Sequence, residues 1–240
     1  MADQSHGVKE IQGTNVPEPI RVDVTPSEHV TAIAYRAAAP NRAGISLILA
    51  HGAGANQSSA FMVQLATALA ARGIDAVTFN FLYSEQRKRL PDKNDKLEAC
   101  WRKVIEAYHD GAFGGGGGKL FIGGKSMGGR IASQVAAAGA DVAGLVLLGY
   151  PLHPPGQPEK LRTRHLPAIK VPMLFVQGSR DAFGTPEELR PILERLTAPA
   201  DLCVVEGGDH SYKVPKKLMP QEQVFEFVLD EVDRWLRRRV

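Results

Sequence analysis

The residues whose types and order could do chemistry are Ser126, Asp181 and His210. Ser126 sits in Gly124-Lys125-Ser126-Met127-Gly128-Gly129, a G-x-S-x-G sequence with an apolar run before it and an amphipathic one after it. That context predicts a strand, a sharp turn and a helix, with the serine at the turn. Glycines on both sides allow close backbone approach there and spare the turn the obstruction of a neighbouring side chain. A helix starting near Met127 would aim its unsatisfied N–H groups and the positive end of its dipole at the same spot. A serine so placed is a nucleophile in waiting, and it needs a base to take its proton and a group to orient that base. Asp181 follows the apolar run Pro172–Val176 through Gln177-Gly178-Ser179-Arg180, and His210 follows Asp201–Val205 through Glu206-Gly207-Gly208-Asp209. Both fall just past the carboxyl end of an expected strand, where open parallel sheets hold their ligands. The chemistry is attack on a carbonyl carbon, with His210 as base and Asp181 as its orienting acid. After another expected strand comes Gly52-Ala53-Gly54, whose small residues let a backbone N–H approach a reacting carbonyl. The N–H groups of Ala53 and Met127 are the expected oxyanion donors.

Other assignments compete with these. Asp209 and Glu206 are alternative acids, but Asp209 adjoins His210 and neighbouring side chains usually diverge. His6, His29 and His109 read as surface residues. His153 and His165 lie in a Pro-rich connection near the same sheet edge, and His51 begins the glycine loop, where ordering that loop by hydrogen bonds suits it better than proton transfer. His51, Tyr83 and His153 are the candidates for substrate contact. The sequence Gly124-Lys125-Ser126 resembles the end of a phosphate-binding G-x-x-x-x-G-K-[ST] loop, but the position five before Gly124 is Lys119, so that motif fails.

These residues need a scaffold of alternating strands and helices. Ile20–Val24 and Val30–Arg36 alternate polar and apolar residues around Pro26-Ser27, which predicts an antiparallel pair at a sheet edge. Later apolar runs at Ile45–Ala50, Ile74–Phe79, Leu120–Gly123, Gly144–Leu148, Pro172–Val176 and Asp201–Val205 read as buried parallel strands. Helical stripes run through Phe61, Leu65 and Leu69 after a start at Ser58; through Leu97, Trp101, Val104, Ile105 and Tyr108; and through Met127, Ile131 and Val135, stopped at Gly139. Thr185-Pro186-Glu187-Glu188 reads as an N-cap, a first-turn proline and a capping-box glutamate ahead of Leu189, Ile192, Leu193 and Leu196. Val224, Phe227, Val228, Val232 and Trp235 stripe the last helix. The expected fold is α/β: a doubly wound, mostly parallel sheet with an antiparallel N-terminal edge and helices on both faces. Residues 1–19 are expected to be a flexible segment and residues 20–240 a single domain. The five glycines Gly114–Gly118 read as a flexible connector.

Composition narrows the partners. A net charge of +3 from 29 basic and 26 acidic residues does not point to nucleic acid, and no apolar run approaches a membrane span. With no apolar leader at the start, a cytoplasmic protein is expected. The two cysteines, Cys100 and Cys203, have neither metal-site nor disulfide spacing and read as buried free thiols. About twenty residues separate the strand near Leu148 from that near Pro172, too few for a large lid. Lys160, Arg162, Arg164, His165 and Lys170 in that connection, with Arg87, Lys88 and Arg89 elsewhere, read as a solvated basic rim, the other reading being a site for a carboxylate-bearing substrate.

At the serine, acid and histidine motifs the chain resembles the α/β-hydrolase superfamily, from Ile20 onward. More narrowly it is similar to small dienelactone-hydrolase-like proteins grouped with a testis-expressed protein and a subunit of a histone-acetylating chromatin complex. That likeness rests on Leu49-Ala50-His51-Gly52-Ala53-Gly54, Phe79-Asn80-Phe81-Leu82-Tyr83, Gly124-Lys125-Ser126-Met127-Gly128-Gly129-Arg130 and Gly149-Tyr150-Pro151-Leu152-His153-Pro154-Pro155-Gly156. Dienelactone hydrolases use a cysteine where this chain has Ser126, so their substrate is not implied. The expected activity is hydrolysis of a small-molecule ester or similar acyl compound, with no metal or organic cofactor. The alternative is a hydrolase-fold interaction module that does not use its site, with the Pro-rich connection or the basic loop at Arg87 as its contact surface.

Overall fold

The computed structural model describes residues 19–114 and 118–240, so the expected loose start and the middle of the glycine connector lie outside the described residues. In chain order the elements are β1 (Ile20–Asp23), β2 (His29–Tyr35), β3 (Ile45–Ala50), α1 (Ala60–Ala71), β4 (Asp75–Phe79), α2 (Leu82–Glu85), α3 (Asn94–His109), β5 (Lys119–Lys125), α4 (Met127–Ala137), β6 (Gly144–Leu148), β7 (Met173–Gly178), α5 (Pro186–Leu193), β8 (Ala200–Val205) and α6 (Gln221–Arg237). The strands form an eight-stranded sheet ordered β1-β2-β4-β3-β5-β6-β7-β8. The pairs β1–β2 and β2–β4 are antiparallel, whereas β3 pairs in parallel with both β4 and β5, and the parallel run continues to β8. This is the α/β-hydrolase architecture, open and with the expected antiparallel edge. The connection between β6 and β7 carries a single three-residue 3-10 helix, Leu166–Ala168, among its described elements.

Continuous apolar strands follow from a sheet covered on both faces. Ile48 and Ala50, Ile122, Leu145 and Leu147, and Met173 and Phe175 pack into a core with α3, α4 and α5. Their neighbours Leu47 and Leu49, Phe121, Val146 and Leu148, and Leu174 and Val176 pack into a second core with α1 and α6. Because strand side chains alternate, each strand feeds both cores, and neither polar nor apolar alternation is visible in its sequence.

Local signals set several ends. Thr185 caps α5 as expected: its hydroxyl accepts the Glu188 N–H at 3.4 Å, and the Glu188 carboxylate accepts the Thr185 N–H at 2.7 Å. The structure corrects other details. Helix α1 starts at Ala60, after an extended Ser59, and not at Ser58. Phe227, read as part of the α6 core stripe, is exposed, and Cys203 is only half-buried, on the edge strand β8, whereas Cys100 is fully buried. The short α2 has no counterpart among the expected helices, since four residues cannot display a helical period.

Candidate active site

The chain winds from β3 outward to β4 and returns to place β5 on the other side of β3. Such a reversal opens a crevice at the carboxyl ends of the two central strands. The loop after β3 brings Gly52 and Ala53 there, and the turn after β5 brings Ser126.

Ser126 has φ 52° and ψ −117°, a strained conformation of the kind that costs about 1–3 kcal/mol and has to be held by its surroundings. Its N–H donates to the Leu148 carbonyl at 2.9 Å, and its carbonyl accepts the Arg130 N–H at 3.0 Å, so both flanking elements grip it. The motif glycines are forced by one neighbour. A Cβ at Gly124 would lie 2.1 Å from the Ala50 carbonyl oxygen, and one at Gly128 would lie 2.2 Å from the same atom. Strand β3, the turn and the first turn of α4 therefore meet around Ala50 with no space for a methyl group.

The three chemical residues come together. His210 Nε2 is 2.8 Å from Ser126 Oγ, and His210 Nδ1 lies 2.8 Å and 3.0 Å from the two carboxylate oxygens of Asp181. A carboxylate only accepts, so Nδ1 carries a hydrogen, and in the neutral ring Nε2 is left with its lone pair towards the serine hydroxyl. Asp181 is 1% exposed, and its remaining acceptor capacity is filled by the Phe183 N–H at 2.8 Å and by Gln177 Nε2 at 2.9 Å. The Phe183 ring lies against the imidazole with centroids 4.2 Å apart. The alternative acids sit elsewhere: Asp209 accepts the N–H groups of Ser211 and Lys213 and so shapes its own loop, while Glu206 is exposed.

These atoms open on a cavity of about 590 Å³, whose lining includes Gly52, Ala53, Ser126, Met127, His210 and Phe183. Met127 is the first residue of α4, so its N–H is one of the helix's unsatisfied donors. Among the described residues no cluster of three or more His, Cys, Asp or Glu side chains could hold a metal. No helix among them is long and apolar enough to cross a membrane.

The sequence profile described as alpha/beta hydrolase domain matches residues 43–237. The chain belongs to the alpha/beta hydrolase family. Solved structures share its fold. A serine hydrolase homologue from Coxiella burnetii is 19% identical with a TM-score of 0.69, over 95% of this chain and 100% of that one. A lidless serine hydrolase from Xanthomonas campestris is also 19% identical, with a TM-score of 0.71 over 93% and 97%. Dienelactone hydrolase from Anabaena variabilis is 18% identical, with a TM-score of 0.66 over 90% and 97%.

Three residues expected to touch substrate do not line this hydrolase's cavity, and that expectation is corrected. His51 is fully buried; its Nε2 accepts the Phe81 N–H at 3.3 Å, so Nδ1–H donates to the Gly52 carbonyl at 2.9 Å, and burial holds the ring below its ordinary pKa and neutral. It orders the loop that carries Ala53. Tyr83 is buried against His51 and Phe81, and burial pushes its phenol up to about 12. His153 is buried too, donating from Nδ1 to the Pro154 carbonyl at 2.8 Å with Nε2 3.2 Å from Glu188. Strand-end position says nothing about the direction in which a side chain points.

Two residues near Ser126, Asp181 and His210 escaped the sequence reading. Gln177, fully buried, donates from Nε2 to Asp181 and to the Gly184 carbonyl at 2.7 Å, and its Oε1 accepts the Tyr150 N–H at 2.8 Å. Its one signal in sequence is a polar residue continuing an apolar strand. Lys125, inside the serine motif, donates to the His210 carbonyl and lies 5.1 Å from the centre of the Tyr212 ring. Burial lowers its amine to about 8, with Asp181 and Asp209 acting in the opposite sense.

Proposed function

We propose that this hydrolase cleaves a carboxylic ester, or a similar acyl compound, through an acyl-enzyme formed on Ser126. The reading is carried by one observation: the unbroken run from Asp181 through both nitrogens of His210 to Ser126 Oγ, ending at a cavity wall. In the first step His210 Nε2 takes the hydroxyl proton as Ser126 Oγ bonds to the carbonyl carbon, and the carbonyl π electrons move onto oxygen. The N–H groups of Ala53 and Met127 receive that oxyanion; the Ser126 N–H is already engaged by Leu148. Collapse expels the alcohol, which leaves with the proton from His210. Water then attacks the acyl group by the same route, with His210 again taking and returning one proton. Asp181 keeps Nδ1 protonated and stabilises the imidazolium in both steps.

The motifs around His51, Phe79, Ser126 and Tyr150 support, as part of the same proposal, a likeness to the testis-expressed and chromatin-complex subgroup. The direct experiment is turnover of a neutral para-nitrophenyl ester by wild type and Ser126→Ala. The variant should lose about four to six orders of magnitude in kcat, because triad members act as a unit. Undiminished turnover by the purified variant would overturn the assignment of Ser126.

A further inference from the structure

We infer that Arg130 and Arg162 form a receptor for a carboxylate carried by the substrate, a reading that rests on the proposed hydrolysis at Ser126. Both arginines line the cavity that holds the serine, and both are half-buried. Among the described residues neither meets a carboxylate, whereas the surface arginines Arg72, Arg102, Arg234 and Arg237 each do. Their side-chain contacts are with neutral oxygens at long range. Arg130 Nη2 donates to Asn94 Oδ1 at 3.3 Å, and Arg162 Nη1 donates to the Pro151 carbonyl at 3.5 Å. A guanidinium has five N–H donors in a fork that matches a carboxylate, so among the described residues most of this donor capacity is unspent.

The charge pattern supports the same conclusion. Burial holds Arg130 below its ordinary pKa, and the neighbouring Arg162 charge lowers it further. Two like charges gathered in a partly desolvated wall are costly without an anion, and an anion between them relieves both terms. Placement is also fixed. Ser126 precedes α4 and Arg130 is four residues on, so the two lie about one helical turn apart on the same face. Arg162 is pinned through its backbone: its N–H donates to the Leu152 carbonyl at 2.8 Å, and its carbonyl accepts the buried Tyr150 hydroxyl at 2.7 Å. The lining also includes Met62, Leu97 and Phe183, which offer apolar surface to an acyl chain. Asp92 lines the cavity as well and has a buried carboxylate oxygen with no hydrogen-bond partner. A negative charge there would repel a dianionic phosphate more than a singly charged carboxylate, so of the two anions the carboxylate fits better. Lys160, Arg164 and Lys170, and Arg87, Lys88 and Arg89, are exposed and outside the cavity, so of that expected basic rim only Arg162 belongs to the receptor.

The test compares para-nitrophenyl esters of three acyl chains of equal length, ending in methyl (hexanoate), carboxylate (adipate) or phosphonate. A charge-assisted pair of about 1.5–3 kcal/mol corresponds to kcat/KM for the adipate ester about 10- to 100-fold above that for hexanoate. That ratio should collapse towards one in Arg130→Gln and in Arg162→Gln, through KM more than kcat, and recover in part in Arg130→Lys. A preference for hexanoate, a ratio untouched by both glutamine variants, or a preference for phosphonate would overturn the inference. Calorimetric binding of adipate monoamide to Ser126→Ala separates this inference from the reaction it rests on. Binding that is lost in the Arg130→Gln background upholds the receptor even with no turnover of any ester, whereas absent binding beside active hydrolysis of hexanoate overturns the receptor alone.

Discussion

His210 can serve as a base only if its ring is held with one nitrogen towards Ser126, and that hold is traceable to Asp181 and, behind it, to Gln177. The Gln177 amide joins Asp181, Tyr150 and Gly184 in a fully buried cluster, so its loss strands several polar groups at once. Gln177→Leu, close in volume but without donors or acceptor, should lower stability by about 1–3 kcal/mol and kcat by about tenfold or more. Urea unfolding and turnover of a neutral ester measure the two effects; unchanged kcat would mean that Asp181 holds its place without the amide. The meeting of Ser126, Asp181 and His210 was legible because each follows a strand in the chain order that the fold requires. Gln177 and Arg130 were not, since a glutamine ending an apolar run and an arginine on a helix have the same spelling whether they face solvent, a carboxylate or a cavity. His51, Tyr83 and His153 failed for the converse reason: they stand close to the site in sequence but turn into the core.

At the scale of elements, the serine turn depends on β3, β5 and α4 meeting at Ala50, and His210 depends on the loop between β8 and α6. Lys125 ties these together, reaching from the end of β5 to the His210 carbonyl and the Tyr212 ring. Its amine falls from an ordinary 10.5 to about 8 in the native fold, so folded protein releases this proton before the unfolded chain does. Below about pH 8 both states hold the proton and the site adds no slope. Between about pH 8 and about pH 10.5 the unfolded chain binds more protons, so this site's contribution to stability rises with pH, by at most about 3 kcal/mol across the window. Denaturation curves of wild type and Lys125→Met should show wild type gaining on the variant over that window, and a constant difference would contradict the burial cost assigned to Lys125. Among the described residues the strands and five of the six helices were legible from apolar runs and helical stripes. Helix α2 was too short to show a period, and strand ends such as Lys125 and Gly178 ran past the last apolar residue because ladder hydrogen bonds do not require one.

For the whole molecule, two cores clamp one sheet and leave its carboxyl edge free to carry chemistry. The hydrolase fold was legible from the order of strands and helices, but the cavity was not, since its wall draws on loops and helices far apart in sequence, among them Met62, Leu97, Arg130 and Arg162. The central claim is that this rigid frame presents Ser126 as an activated nucleophile. Reaction of the folded protein with a fluorophosphonate, followed by mass analysis of the labelled peptide, tests that claim most directly. The account predicts stoichiometric labelling of wild type at Ser126 and none of Ser126→Ala. A folded wild type that remains unlabelled, or a label carried by another residue, would contradict it.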